Sequence, residues 1–126
     1  MKNVLVDTDI LIDFLRGREK ARDYLVSLLG DSTIYCSSIT VAEIHAGMRE
    51  REREKTTELL DSLNIINVTR EVAEKAGKYK RDEKRQSLEL DDCIIAATAF
   101  IKHAALATGN GKHYPMADIS KIIVRL

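Results

Sequence analysis

The chain has 126 residues, 44% hydrophobic and 32% charged, with 20 Lys and Arg against 20 Asp and Glu. That length and balance fit one ordinary globular domain over residues 1–126 and exclude a disordered chain. Zero formal charge excludes a global field that attracts polyanions, so any nucleic-acid contact has to come from local basic patches.

Val4-Leu5-Val6 runs straight into Asp7, and the spacing predicts a buried strand over Asn3 to Val6 that delivers Asp7 to its carboxyl end. A short helix over Asp9 to Leu15 follows, stopped at Arg16-Gly17. Glu19 to Leu29 keeps helical spacing through Ala21, Tyr24, Leu25, Leu28 and Leu29. After Gly30-Asp31-Ser32, Thr33 to Cys36 reads as a second strand. Ser37-Ser38-Ile39-Thr40 opens a helix that continues from Val41 through Met48. Alternating charges from Arg49 to Lys55 read as a solvated helical face or a helix corner.

Thr56 to Leu63 predicts a further helix, and Asn64 to Val68 a third, weaker strand. Thr69 caps a helix reaching Glu83. The segment from Cys93 to Ile101 is apolar all round, which suits a central buried helix. Ala104 to Thr108 is a fourth strand, Gly109-Asn110-Gly111 a tight loop, and Ile122 to Arg125 a last strand. Strands separated by helices imply parallel pairing with right-handed crossovers. The expected architecture is a three-layer α/β/α sandwich around a parallel sheet of four to five strands. Cys36 and Cys93 lie in apolar runs and read as small buried hydrophobes. No apolar run approaches the roughly 18 residues of a membrane span. With no signal peptide visible, the expected location is the cytoplasm, away from membranes.

In an open parallel sheet, chemistry sits outside the carboxyl ends of the strands. Asp7, Asp9, Glu43, Asp91, Asp92 and Asn110 are the candidates for that edge. Most have a structural alternative. Asp9 can cap the first helix; Glu43 can complete a capping box, Thr40-x-x-Glu43; Asp91 can cap the helix that holds Asp92. Asn110, between two glycines, can be a turn residue. Asp7 is harder to dismiss, because an unpaired charge ending a buried strand needs a partner or an ion. Several carboxylates in one place repel, and no Lys or Arg adjoins Asp7, Glu43 or Asp92. A divalent cation resolves the repulsion, and oxygen ligands suit Mg²⁺ or Mn²⁺.

Four stretches together resemble the motifs of PIN-domain proteins: Val4 to Ile12, Ser37 to Gly47, Leu90 to Ala99, and Leu106 to Asn110. The group most resembled is the VapC-type toxin ribonucleases of toxin–antitoxin pairs. Carried over position by position, the resemblance implies that Asp7, Glu43 and Asp92 hold the metal, with Asn110 at a fourth, usually acidic, position. Asp9 stands where the family commonly has Asn, and it either restores the charge missing at Asn110 or only caps. Asp118, in the same long loop, is a further candidate. The resemblance implies a Mg²⁺- or Mn²⁺-dependent endoribonuclease leaving 5′-phosphate and 3′-hydroxyl ends, with Thr8 and Asn110 as secondary groups. It also implies an RNA substrate, a homodimer and a small antitoxin partner. Arg16, Lys112 and His113 flank the motifs and are the candidate RNA contacts; a basic run at Lys75 to Arg85 is a further one. His45 and His103 read as packing or capping residues.

Two other readings use the same residues. Asp7-Thr8-Asp9 resembles the opening of haloacid-dehalogenase-type phosphatases, with Asp7 as nucleophile, but there Glu43 has no role. A degenerate PIN domain that binds RNA or a partner without cutting is the other, with Asn110 as the lesion. A receiver domain is disfavoured because Asn64 to Val68 supplies no phosphoacceptor Asp.

Overall fold

The computed structural model describes residues 1–126. β1 (Lys2–Val6), β2 (Ser32–Ser37), β3 (Asn64–Ile66), β4 (Ala105–Thr108) and β5 (Lys121–Ile123) form one sheet in the order β3-β2-β1-β4-β5. Every pairing is parallel. The helices are α1 (Thr8–Leu15), α2 (Glu19–Ser27), α3 (Ser38–Ala46), α4 (Arg53–Asp61), α5 (Arg70–Asp82) and α6 (Leu90–Lys102).

Strand alternation divides the core in two. Val4 and Val6 of β1 and Ala107 of β4 face one side, where they pack with Ile10, Leu11, Ala21, Leu25, Ile44, Leu59 and Leu60. Leu5 and Leu106 face the other, against Val72, Ala76, Cys93, Ile95, Ala96, Ala97 and Ala99. Each sheet face is thus covered by helices, which is the three-layer sandwich expected of strands that read as continuous apolar runs. The alanines of α6 let that helix lie close to the sheet, and Cys93, Ile95, Ala96, Ala97 and Ala99 are all buried. Both cysteines are free and fully buried, as the apolar surroundings predicted. No helix is long and apolar enough to cross a membrane.

The boundaries differ from the sequence reading at a few places. α1 begins at Thr8 rather than Asp9, because Asp7 itself caps it and accepts the Thr8 N–H. The second helix ends at Ser27 rather than Leu29, the third at Ala46 rather than Met48. α4 starts three residues early, inside the charged run, since alternating Arg and Glu are good helix formers. Leu59 and Leu60 of α4 point into the core, so the apolar side of that helix is not free to pack a second copy.

Chain order explains where a site can form. From β1 the chain moves to β2 and β3 on one side, then returns to place β4 and β5 on the other. The carboxyl ends of β1 and β4 therefore flank a topological switch point, the usual crevice for ligands in open α/β sheets.

Candidate active site at the switch point

Asp7 leaves β1 and caps α1, with φ −69° and ψ 156°. It is only 6% exposed. Both carboxylate oxygens are committed: Oδ1 accepts the Thr8 N–H at 2.8 Å and Oδ2 accepts the Thr108 hydroxyl at 2.7 Å. Such a side chain is held in one orientation rather than free to move. Thr108 ends β4, so one hydrogen bond joins the two strand ends across 101 residues.

Thr8 opens α1 and turns its hydroxyl toward α3. It lies 2.9 Å from the Thr40 hydroxyl and donates to Glu43 Oε1 at 2.6 Å. The capping-box alternative for Glu43 does not hold. Ser37 is the N-cap of α3, its hydroxyl accepting the Ile39 N–H at 3.1 Å. Thr40 is thus already one turn inside the helix, and Glu43 points to Thr8 instead of back to the cap.

The α6 N-terminus brings the third acid. Its cap is Glu89, without a side-chain cap bond, so Asp91 is not the cap; Asp91 and Asp92 both lie in the first turn. Negative charge there is favoured by the helix dipole. Asp91 accepts the Asp92 N–H at 3.0 Å and lies beside Glu43, whose carboxyl it pushes upward. Asp92 Oδ1 accepts the Tyr114 hydroxyl at 3.3 Å, and Asp92 Oδ2 lies 3.3 Å from His113 Nδ1.

Asn110 follows β4. Its backbone N–H donates to the Thr108 hydroxyl at 3.0 Å, and its side-chain Nδ2 lies 3.0 Å from His113 Nε2. The His113 ring thus bridges Asn110 and Asp92. Asp9 is neither the cap nor free. Its Oδ1 accepts the Ile10 N–H at 2.8 Å and its Oδ2 the Gly109 N–H at 3.0 Å. It clamps the β4 exit loop to α1. A Cβ on Gly109 would sit 2.8 Å from Asp9 Oδ2 and 2.5 Å from Leu126 Cδ1, so the close approach requires glycine.

The electrostatics are dominated by burial, opposed at Asp7, Asp91 and Asp92 by the neighbouring His113. Burial pushes Asp7 above the usual carboxylate range, against the hydrogen bonds from Thr108 and Thr8. Burial and the nearby Asp7 charge push Asp9 up to about 6. Burial, then the charge of Asp91, push Asp92 up to about 6. Burial and the Asp91 hydrogen bond push Glu43 up to about 7. Asp91, more exposed, is held below the usual carboxylate range, chiefly by its neighbour Glu43. No Lys or Arg forms an ion pair with any of the five.

This oxygen-only donor set with uncompensated charge fits a hard divalent cation. The acids do not close into a tight cage: no three acidic, His or Cys side chains converge at ligand distance. That suits Mg²⁺, which keeps several waters and takes one or two carboxylates.

Other sequence candidates lie elsewhere. Arg16 is at the C-terminal end of α1, about 13.5 Å along the axis from Asp7. Lys112 and His113 share a 3₁₀ turn, Gly111–His113; His113 reaches the acids and Lys112 is exposed. Asp118 is not part of the cluster. It accepts from Lys75 Nζ at 2.8 Å and from the Tyr79 hydroxyl at 2.7 Å, on α5. The α5 basic residues are largely paired as well: Lys78 with Asp82 and Arg70 with Glu74. His103 ends α6 in the left-handed region, φ 53°. Sequence reasoning missed Tyr114, which is fully buried beneath the acids, and undervalued Thr40 and Thr108. Their polarity inside apolar runs is the only sequence signal for the two threonines.

The comparisons with known proteins agree with this arrangement. The PIN domain family profile matches residues 4–119. Ribonuclease VapC10 of Mycobacterium tuberculosis is 41% identical over 119 residues, spanning 91% of this chain and 88% of that protein. A toxin–antitoxin complex from Klebsiella pneumoniae contains a chain that superposes with a TM-score of 0.79 at 32% identity, covering 90% of this chain and 92% of that one. VapBC2 from Rickettsia felis, bound to a DNA fragment from its promoter, superposes at 0.85 over 97% and 98% of the chains; at 22% identity it speaks to the fold alone. The phosphatase and receiver readings fall with these matches, and the five-stranded parallel sheet matches that of the VapBC neighbours. The chain belongs to the PIN domain family, alongside the ribonucleases named VapC.

Proposed function

We propose that this chain is a divalent-metal-dependent endoribonuclease, the toxin of a VapBC-type toxin–antitoxin pair. The observation that carries the chemistry is the grouping of a buried Asp7 with the half-buried Glu43 and Asp92 at the switch point, with no Lys or Arg paired to any of them. The similarity to a protein named as a ribonuclease supplies the reaction class.

Asp7 and Asp92 would hold Mg²⁺ or Mn²⁺, because their positions are fixed from behind by Thr108, Thr8 and Tyr114. When bound, such an ion supplies Lewis acidity for phosphodiester hydrolysis and charge to steady the leaving oxygen. Glu43 does the proton work. Held at about 7, it changes protonation near neutral pH, the range an acid–base group needs. The Thr8 hydroxyl fixes Glu43 in place. Asn110 and His113 line the rim, with Lys112 exposed beside them as a phosphate contact. The resemblance to the PIN family implies products with a 5′-phosphate and a 3′-hydroxyl.

The Klebsiella neighbour is described as a toxin–antitoxin complex, and its 32% identity supports a small antitoxin as this chain's partner. A homodimer is the expected assembly, and the exposed apolar side chains Val26, Leu29 and Leu90 are surfaces it can cover. Free buried thiols agree with a reducing cytoplasm.

The test is cleavage of end-labelled RNA with Mg²⁺ or Mn²⁺ against EDTA. Cleavage is expected only with metal and only from the parent protein, not from Asp7→Asn. Cutting that survives EDTA, or an Asp7→Asn protein as active as the parent, would refute the assignment. RNA binding without any cutting would favour the degenerate reading. Monomer alone by light scattering at micromolar concentration would remove the dimer.

A further inference from the structure

Tyr114 is the largest fully buried side chain in the molecule and nothing in the proposed chemistry uses it directly. Its ring packs in the second core half, among Leu5, Leu88, Cys93, Leu106 and Met116. Its backbone is pinned at both ends. The Tyr114 N–H donates to the Gly111 carbonyl at 3.1 Å, and Lys121 Nζ donates to the Tyr114 carbonyl at 2.6 Å. A phenylalanine would fill the same apolar volume, so packing does not account for the hydroxyl.

The hydroxyl reaches the underside of the acid cluster. It donates to Asp92 Oδ1 at 3.3 Å and also interacts with Asp7. Those two carboxylates come from different elements, the β1 end and the α6 first turn. Asp7 has two further donors holding it, whereas Asp92 has only the rim residue His113 besides Tyr114. The phenol is thus the one buried, rigid donor that fixes where Asp92 stands relative to Asp7.

We propose that Tyr114 is a positioning residue for the divalent ion: its buried hydroxyl holds Asp92, and faces Asp7, so that the two carboxylates present their outer lone pairs to one site. The proposal rests on the metal-dependent reading above. Groups that orient ligands from behind typically change metal affinity by about 10- to 100-fold when removed. Tyr114→Phe removes the hydroxyl and keeps the ring.

The experiment measures Mn²⁺ binding directly, from the electron-paramagnetic-resonance signal of the free ion, without RNA. The parent, Tyr114→Phe and Asp92→Asn are compared, together with urea unfolding midpoints. The Mn²⁺ dissociation constant is expected to rise about 10-fold in Tyr114→Phe, with the urea midpoint close to the parent's. In RNA cleavage, half-saturating Mn²⁺ should rise by the same factor, while the rate at saturating Mn²⁺ returns to near the parent value. A purely structural role would shift the urea midpoint instead. If Tyr114→Phe loses its urea transition, Tyr114→Met carries the same comparison. Unchanged affinity in Tyr114→Phe overturns the proposal, as does tighter binding, which would make the hydroxyl a competitor of the metal. A parent that binds no Mn²⁺, or an Asp92→Asn protein that binds as well as the parent, overturns the metal reading itself and the proposal with it.

Discussion

Acidic residues occur in two settings in this protein, and the contrast shows what the site lacks. On the solvated surface several acids have a cation beside them. Arg53 makes a two-pronged contact with Glu50 at 2.7 and 3.0 Å, Lys78 pairs with Asp82, and Arg85 with Glu83. Those cations hold Glu50, Asp82 and Glu83 below the usual carboxylate range. At the switch point the same residue types have hydroxyls and backbone N–H groups instead, and burial drives Asp7, Asp9, Glu43 and Asp92 upward. Zero net charge over the whole chain conceals this division. The paired surface acids have Lys or Arg beside them, while the edge has carboxylates with no Lys or Arg and only His113 as a basic neighbour.

The largest expected effect breaks the edge. Asp92→Asn should cut RNA cleavage by about 100-fold or more, because a charged metal ligand is lost. The same change removes a destabilised charge. So the metal-free protein at pH 8 should melt higher than the parent, a trade of stability against function. Calorimetry beside a cleavage assay checks both. Lower melting in Asp92→Asn would mean the acid is better compensated than its surroundings indicate.

Removing the metal sharpens the comparison next. The raised acids bind protons more tightly folded than unfolded. Their contribution to stability is therefore present at low pH and lost as pH rises from about 4, the unfolded carboxylate range, to about 7. In EDTA the melting temperature should fall across that window. Mg²⁺ or Mn²⁺ should restore it above pH 7, because a ligand that binds only the folded state stabilises it. A melting temperature that climbs from pH 4 to 7 in EDTA would contradict the uncompensated edge.

A smaller effect separates charge from hydrogen bonding at Asp9. Asp9→Asn keeps an acceptor for the Gly109 N–H, and Asp9→Ala does not. The alanine variant should be less stable than the asparagine variant by about 1–2 kcal/mol in urea unfolding. Equal stability would remove the clamp. The smallest effect is on the paired surface: Arg53→Ala should leave cleavage and Mn²⁺ binding unchanged, since exposed ion pairs contribute little. A loss of activity there would place RNA contacts on the charged run.

Much of this was legible in the residues. Val4-Leu5-Val6-Asp7 announced a buried strand ending in a carboxylate, and the apolar run after Asp92 announced a central helix, because burial on every side leaves few polar positions. The role of Glu43 was ambiguous. Thr40-x-x-Glu43 satisfies the capping-box spacing, and only the cap at Ser37 shows that Glu43 reaches across to Thr8. Asp9 was read as a cap or a spare charge, and it is a clamp on Gly109, a residue 100 positions away. Asp118 looked close along the chain and lies instead on Lys75 and Tyr79.

The sequence by itself determined which elements form and that Asp7 and Asp92 sit at element ends facing one edge. Local periodicity and the cost of burying a charge suffice for that. Only the tertiary structure decided which side chains meet: Thr108 behind Asp7, Thr8 on Glu43, Tyr114 beneath Asp92. Those contacts join residues 22 to 101 positions apart, and the longest, Thr108 to Asp7, exists because β4 returns beside β1. No local pattern records that pairing, since it depends on how the strands are ordered in the sheet.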